Sequence, residues 1–333
     1  SFNQVEFTPD FIDGLSAVVH TCGMPFITIN NSMRPPTQRQ LFARIAQIAA
    51  FRTVRTLNLD ETHPFDVKSL FTACENLRSI SLKNCDIQVA EFIKLMGTTP
   101  TCNFESAILS GNLCTKVIPT EYKFPATLTQ FDVGNISWYK DSLQSMFKLC
   151  CSHKPKIAFH LVVPDAKQDN QQWREFFQFL GTIPTCPLNS LVWDGNPLSE
   201  QFFDYIKNIG TLSALSISRT LKGDDPMLSV VANFIRGNDS IHNLVIKGDA
   251  DHEIGMSITT LLEAFKINRA LRIIDISFNK ITAVGVLELS NVLTINWVVE
   301  VISFDGAGVD SSLIYENFIS VLKKRGAPLD IVW

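Results

Sequence analysis

The side chains in this sequence that could do chemistry are six histidines, eight cysteines and a set of evenly spaced aspartates. His20, His63, His153, His160, His242 and His252 lie scattered, with no ligand spacing and no H-E-x-x-H segment that would place two of them on one helix face around zinc. The cysteines are Cys22, Cys74, Cys85, Cys102, Cys114, Cys150, Cys151 and Cys186, and none form C-x-x-C. Buried thiols in a reducing, cytosolic setting are the simplest account of them. The adjacent pair Cys150-Cys151 could be redox-active, but a helix C-terminus with one thiol inward is the simpler account. There is no G-x-x-x-x-G-K-S/T to cradle phosphate, no G-x-G-x-x-G after a strand and no G-x-S-x-G. The expectation is therefore no enzyme, no cofactor and no metal. A net charge of -4 and an isoelectric point near 5.9 leave no basic stripe for nucleic acid.

What remains is recognition, and the elements that would position it repeat along the chain. Leu271-Arg-Ile-Ile274-Asp-Ile276-Ser-Phe-Asn279-Lys-Ile281 fits L-x-x-L-x-L-x-x-N-x-L at every fixed position. Looser copies begin at Phe2, Met24, Val54, Leu77, Phe104, Leu128, Lys156, Leu188, Leu212, Ile241, Val299 and Gly326, with a mean spacing of about 27 residues. Inside each copy, pairs such as Leu57/Leu59, Ile80/Leu82, Leu191/Trp193, Leu244/Ile246 and Ile302/Phe304 are two residues apart, the strand period. Between copies the period changes to three or four, at Leu41/Ile45/Ile48, Leu143/Met146/Phe147, Phe202/Phe203/Ile206, Leu261/Leu262/Phe265 and Val286/Leu289/Leu293, which predicts helices.

A strand followed by a helix cannot bury its apolar side alone and must stack on its neighbours. The expected fold is thus α/β: a leucine-rich-repeat solenoid, a curved horseshoe with parallel strands on the concave face and helices on the convex one. Residues 1–333 read as one such domain of about thirteen units, with no linker or low-complexity tract. Pro119 and Pro125 predict an irregular turn over 113–127, and 164–172 predict a surface loop ahead of a helix near Trp173 to Leu180. No apolar run reaches the length of a membrane span. The chain opens on a repeat strand without an initiator Met and ends inside the last one, so a portion of a longer protein is expected.

In x-L-x-L-x the residues between and beside the apolar slots point away from the core. They include Glu6, Asp60, Asp132, Asp194, Asp275, Asp305 and Asp330 against Lys83 and Lys247, an acidic surface. The expected partner is a basic protein segment along the concave strands, with Val192, Val245, Ile273 and Val301 as apolar anchors and His160 on the same face. The competing account is that these aspartates are solvated or bond to neighbouring strand ends.

Residues from about 234 to 309 carry a further pattern. It is carried by Phe234-Ile-Arg-Gly-Asn-Asp-Ser-Ile-His-Asn-Leu-Val-Ile-Lys-Gly, the Leu271 to Ile281 phrase, and Val292-Leu-Thr-Ile-Asn-Trp-Val-Val-Glu-Val-Ile, and the helix before each strand ends in an Asn, at Asn238, Asn268 and Asn296. This resembles the repeat domain of the CARMIL family of actin-capping-protein regulators, and ribonuclease-inhibitor and tropomodulin repeats share its length and grammar. The resemblance implies a non-catalytic scaffold at the cytoskeleton or cell cortex, with actin-regulatory protein partners and membrane contact only through flanking domains. The alternative is a ligand-sensing or inhibitor-type repeat protein unrelated to actin; N-x-S motifs at Asn30, Asn135 and Asn238 fit a receptor but also arise by chance.

Overall fold

The computed structural model describes residues 1–5, 8–30, 53–62, 67–71, 74–139, 142–153, 158–163, 171–183, 186–325 and 328–333. Glu6, His63, the helix expected at Leu41, Ile45 and Ile48, and residues 164–170 of the expected loop lie outside these residues. The chain forms two compact units, Ser1–Val162 and Val163–Trp333.

In the first unit the strands β1 (Phe2–Asn3), β2 (Phe26–Asn30), β3 (Thr56–Asn58), β4 (Ser79–Ser81), β5 (Ser106–Ile108), β7 (Gln130–Asp132) and β9 (Ala158–Val162) pair in chain order, all parallel. The register runs Leu57, Ile80, Ala107, Phe131, Phe159, and each of these side chains is fully buried. Two short strands, β6 (Leu113–Cys114) and β8 (Ser137–Trp138), pair separately. Helices at Pro9–Cys22, Val67–Phe71, Val89–Thr98 and Ser142–Ser152 follow their strands. Residues 115–129 hold no helix, as the two prolines require, because the ring removes an amide donor and clashes with the preceding turn.

In the second unit β10 (Leu188–Val192), β11 (Ala214–Ser216), β12 (Asn243–Val245), β13 (Ile273–Asp275), β14 (Val301–Ser303) and β15 (Asp330–Val332) pair in the same way, bringing Leu191, Leu215, Leu244, Ile274, Ile302 and Ile331 into line. Helices at Gln171–Thr182, Glu200–Ile206, Met227–Gly237, Ile258–Ile267, Ala283–Ile295 and Ser311–Lys324 alternate with them. Ser199, Thr282 and Asp310 cap three of these helices, each side-chain oxygen accepting an amide that the helix itself leaves unpaired. Each unit is α/β and a leucine-rich-repeat solenoid. Among the described residues no helix is long and apolar enough to cross a membrane.

The register departs from the sequence expectation at both ends. Phe2 pairs with Ile29, five residues further along its repeat than a first-slot residue would, so Phe2 occupies an inner-strand position; there its ring meets Phe11 edge-on at 5.4 Å. At the other end Ile331 aligns with Ile302, which moves the first slot from Gly326 to Pro328. Both ends are where the motif is least filled, and pairing with the adjacent strand, not the local pattern, decides the register.

Burial of apolar slots does not by itself hold one coil on the next, since each turn leaves main-chain groups unpaired. Two series of side chains meet them. At the motif's Asn slot, Asn112 Nδ2 donates to Leu82 O at 2.7 Å, Asn196 Nδ2 to Val163 O at 2.8 Å and Asn279 Nδ2 to Ile246 O at 2.8 Å, in each case a carbonyl of the preceding coil. Asn279 Oδ1 in turn accepts from Ile254 N at 3.2 Å. Where the slot is not Asn the geometry survives: Thr62 Oγ1 donates to Ile29 O, and Cys85 Sγ to Leu59 O at 3.1 Å. Burial pushes the Cys85 thiol up to about 12, with Asp60 and Asp86 adding to the rise and backbone contacts at Thr62 and Glu61 opposing it.

The second series stands where each helix gives way to the next strand. Asn268 Nδ2 donates to Ile235 O at 2.7 Å and Asn238 O at 2.8 Å, while its Oδ1 accepts from the amides of Ala270 and Leu271 at 2.8 Å. Asn296 Nδ2 repeats this on Phe265 O and Asn268 O, both at 2.7 Å. In the last coil Arg325 substitutes for Asn, its Nη1 reaching Leu293 O and Asn296 O and its Nη2 reaching Trp297 O and Val299 O. In the first unit His153 Nε2 stands 2.9 Å from Leu128 O, so that nitrogen must carry the proton.

Replacing Asn279 or Asn296 by Ala strands buried carbonyls and amides, and each change is expected to cost about 2–3 kcal/mol in urea unfolding, against about 0.5 kcal/mol or less for Asp305→Ala. The Cys85 thiol, being neutral, should resist iodoacetamide in the native protein at pH 8 while the exposed Cys22 is alkylated, as peptide mapping would show. An unfolded thiol ionises near its ordinary 9.0, so the native state should lose stability as pH rises from about 9 toward 12, where the unfolded chain binds fewer protons.

Candidate interaction surface

In the second unit the sheet face opposite the core presents three rows. The register places Ala214, Asn243, Ile273, Val301 and Asp330 side by side, and beyond them Val192, Ser216, Val245, Asp275, Ser303 and Val332. Past the strand ends come Asp194, Ser218, Lys247, Ser277 and Asp305. Of the four expected anchors, Ile273 is the most open at 38 % exposure, and it sits directly beside half-buried Val301. Val245 lies next to Asp275, and Val192 is separated from Val245 by Ser216. The anchors thus form one adjacent pair and two isolated positions.

The aspartates hold two kinds of place. Asp194 Oδ1 accepts from Ser216 Oγ at 2.6 Å and from the Ser218 amide at 2.9 Å, tying its coil to the next. Asp275 Oδ1 accepts from the Ser277 amide at 3.0 Å, and its Oδ2 pairs with Lys247 Nζ at 2.9 Å. Asp305 and Asp330 are exposed. A hydrogen bond from a neutral donor leaves the carboxylate charge in place, so this face carries four aspartates against Lys247, which is already paired with one of them.

The first unit repeats the theme. Asp60 Oδ1 accepts from Ser81 Oγ at 2.6 Å and the Lys83 amide at 2.8 Å, and Asp132 Oδ1 accepts from Ser110 Oγ at 2.6 Å and the Gly134 amide at 3.0 Å. Half-buried His160 pairs with Asp132 in register. Bonding to neighbouring strand ends therefore accounts for one oxygen of Asp60, Asp132 and Asp194. The serines that donate these bonds carry no signal in the motif; for Asp60 and Asp194 the pattern that would have found them is an Asp at the third facing position with Ser at the second facing position of the next coil, whereas Asp132 takes its bond from Ser110 of the preceding coil.

A left-handed residue closes most of the described strands, though not β12, which Gly248 follows without a positive φ. Glu61, Asn84, Gly111, Asn135, Gly195, Arg219, Phe278 and Gly306, all with φ between 52° and 74°, stand immediately before the Asn slot and turn the chain away from the sheet. Glycine suits that position and Phe278 does not, since its Cβ crowds the backbone there. Its half-exposed ring lies over Gly306, where a Cβ would come within 2.5 Å of it. Among the described residues no group of three or more His, Cys, Asp or Glu side chains is gathered to hold a metal ion.

No protein-family model matches this chain, and no curated protein does. Among solved structures it is similar to a chain of the crystal structure of the Rad7 and Elc1 complex in yeast, with a TM-score of 0.54 over 97 % of this chain and 81 % of that one, at 14 % identity. At that identity the likeness speaks to the fold alone.

The two classes of aspartate should separate by mutation. Asp194→Ala leaves the Ser216 hydroxyl and the Ser218 amide without their acceptor and is expected to cost about 1–3 kcal/mol, whereas Asp194→Asn keeps an oxygen in place and should cost less than about 1 kcal/mol. Lys247→Met breaks a pair whose lysine side chain is 42 % exposed, and a change below about 1 kcal/mol is expected in the same urea titration.

Proposed function

We propose that this chain is a non-catalytic protein-interaction scaffold whose exposed strand face, in the Val163–Trp333 unit, receives a basic, extended segment of a partner. The observation that carries this reading is the line of aligned coils that presents Asp194, Asp275, Asp305 and Asp330 around the apolar pair Ile273 and Val301, with Lys247 as the one base among them. A repeat fold offers an extended surface to which each coil adds one rung of side chains, which suits a chain-like ligand. The solved structure of similar fold comes from a complex of two proteins, which is in keeping with a binding role.

The finer reading, regulation of actin assembly, rests on the resemblance of residues 234–309 to the CARMIL repeat. The geometry described above does not depend on it. Binding of purified capping protein to this chain, measured directly, is the observation that would favour it.

A fluorescent Lys/Arg-rich peptide titrated with this protein tests the strand face. Affinity should fall steeply between 50 and 200 mM salt, because Debye screening shortens from about 14 to about 7 Å over that range. It should fall about tenfold further in the Asp194→Asn, Asp305→Asn double variant. Binding that is indifferent to both salt and these substitutions would remove the proposal.

A further inference from the structure

The strand face is acidic, but one edge of the same unit is not. Where the helices Met227–Gly237 and Ile258–Ile267 give way to their strands, an open notch of about 420 Å³ lies between the two turns. Its floor is the Asn238 and Asn268 pair of the ladder, and its walls carry Arg236, Arg269, Arg272 and His242, with Asp239 as the one acid. All five wall residues are exposed. Ile267, the last residue of its helix, is 55 % exposed in the same notch.

Part of this charge has a local reason. Cations in the last turn of a helix offset the partial negative charge of its unpaired carbonyls, which covers Arg236 and the neighbouring Lys266. Arg269 Nη1 likewise donates to Lys266 O at 3.1 Å. That account does not reach Arg272 or His242. Both stand at the entry of a strand, in equivalent places of successive coils, since the Arg272 amide donates to His242 O just as the His242 amide donates to Ser213 O. In the next coil the equivalent residue is Glu300, which pairs with Arg272 from one side. A guanidinium has five N–H donors, and the contacts of these arginines with Asn233, Lys266 and Glu300 each run through a single Nη1.

We propose that this notch is a second docking site, which takes an acidic, extended peptide segment of a protein partner with an apolar side chain seated on Ile267. Charge complementarity selects the occupant: three arginines and a histidine face outward against one aspartate, in a protein whose net charge is -4 and whose strand face is acidic. Nucleic acid fits less well, because a phosphate backbone needs a long cationic stripe and the basic residues here are confined to one notch. The site sits at the turns, apart from the strand-face positions, so a partner could engage either surface without the other, and the two readings stand or fall separately.

The test is fluorescence anisotropy of a labelled ten-residue Asp/Glu-rich peptide bearing one central Leu, titrated with the whole 333-residue protein. Saturable binding is expected at 50 mM salt, weakening at least tenfold in each of Arg269→Glu and Arg272→Glu. It should be largely retained in Arg269→Lys, and unchanged in the Asp194→Asn, Asp305→Asn variant that reports on the strand face. These arginines are exposed, and circular dichroism of each variant verifies that it is folded. No saturable binding to the parent protein, equal binding by folded Arg269→Glu and Arg272→Glu, or tighter binding of a ten-nucleotide single strand than of the peptide would each overturn the proposal.

Discussion

A coil of strand, turn and helix leaves carbonyls and amides at its bends that it has no means of pairing, and everything else in these units is arranged around meeting them. Buried polar groups left unpaired cost more than a typical hydrogen bond contributes, so the constraint is strong. Asn112, Asn196 and Asn279 reach back one coil at the strand end, and Asn268, Asn296 and Arg325 do the same at the helix end. Each coil is thus completed by its successor. The apolar slots can then vary widely in size, from Ala107 to Phe131 in adjacent coils, because the polar ladders hold the spacing.

The same logic decides which residues are left for recognition. Asp60 and Asp194 each commit an oxygen to the next coil and Asp132 one to the preceding coil, so all three belong partly to the scaffold, but their negative charge still faces outward. Asp305 and Asp330 are exposed, and Ile273 beside Val301 supplies apolar area among them. At the turns the sign reverses, with Arg236, Arg269 and Arg272 around the notch. A single repeated coil therefore carries opposite charge on two of its edges.

The likeness to a chain of the yeast Rad7 and Elc1 complex, at 14 % identity, shows how little of the sequence such a fold consumes. Slots and ladders accept Leu, Ile, Val, Phe or Ala in the core and Asn, Cys or Thr at the bend. Facing positions that make no bond between coils, such as Asp305 and Asp330, are the least constrained by folding, so function must be argued from such residues and not from the fold.

Periodicity alone determined the α/β class, the strand centres from Ile27 to Ile302, and the helices at Leu143, Phe202, Leu261 and Val286, because a two-residue and a three-to-four-residue apolar rhythm can each satisfy only one backbone geometry. It also marked which positions face outward. Only the tertiary structure decided the register of the weakly patterned end coils at Phe2 and Ile331, since pairing depends on the neighbouring strand. It alone showed Arg325 in the place of an Asn and the serines that take up the aspartates. Those contacts join residues more than twenty positions apart, and no local pattern encodes a bond whose other end lies in the next coil.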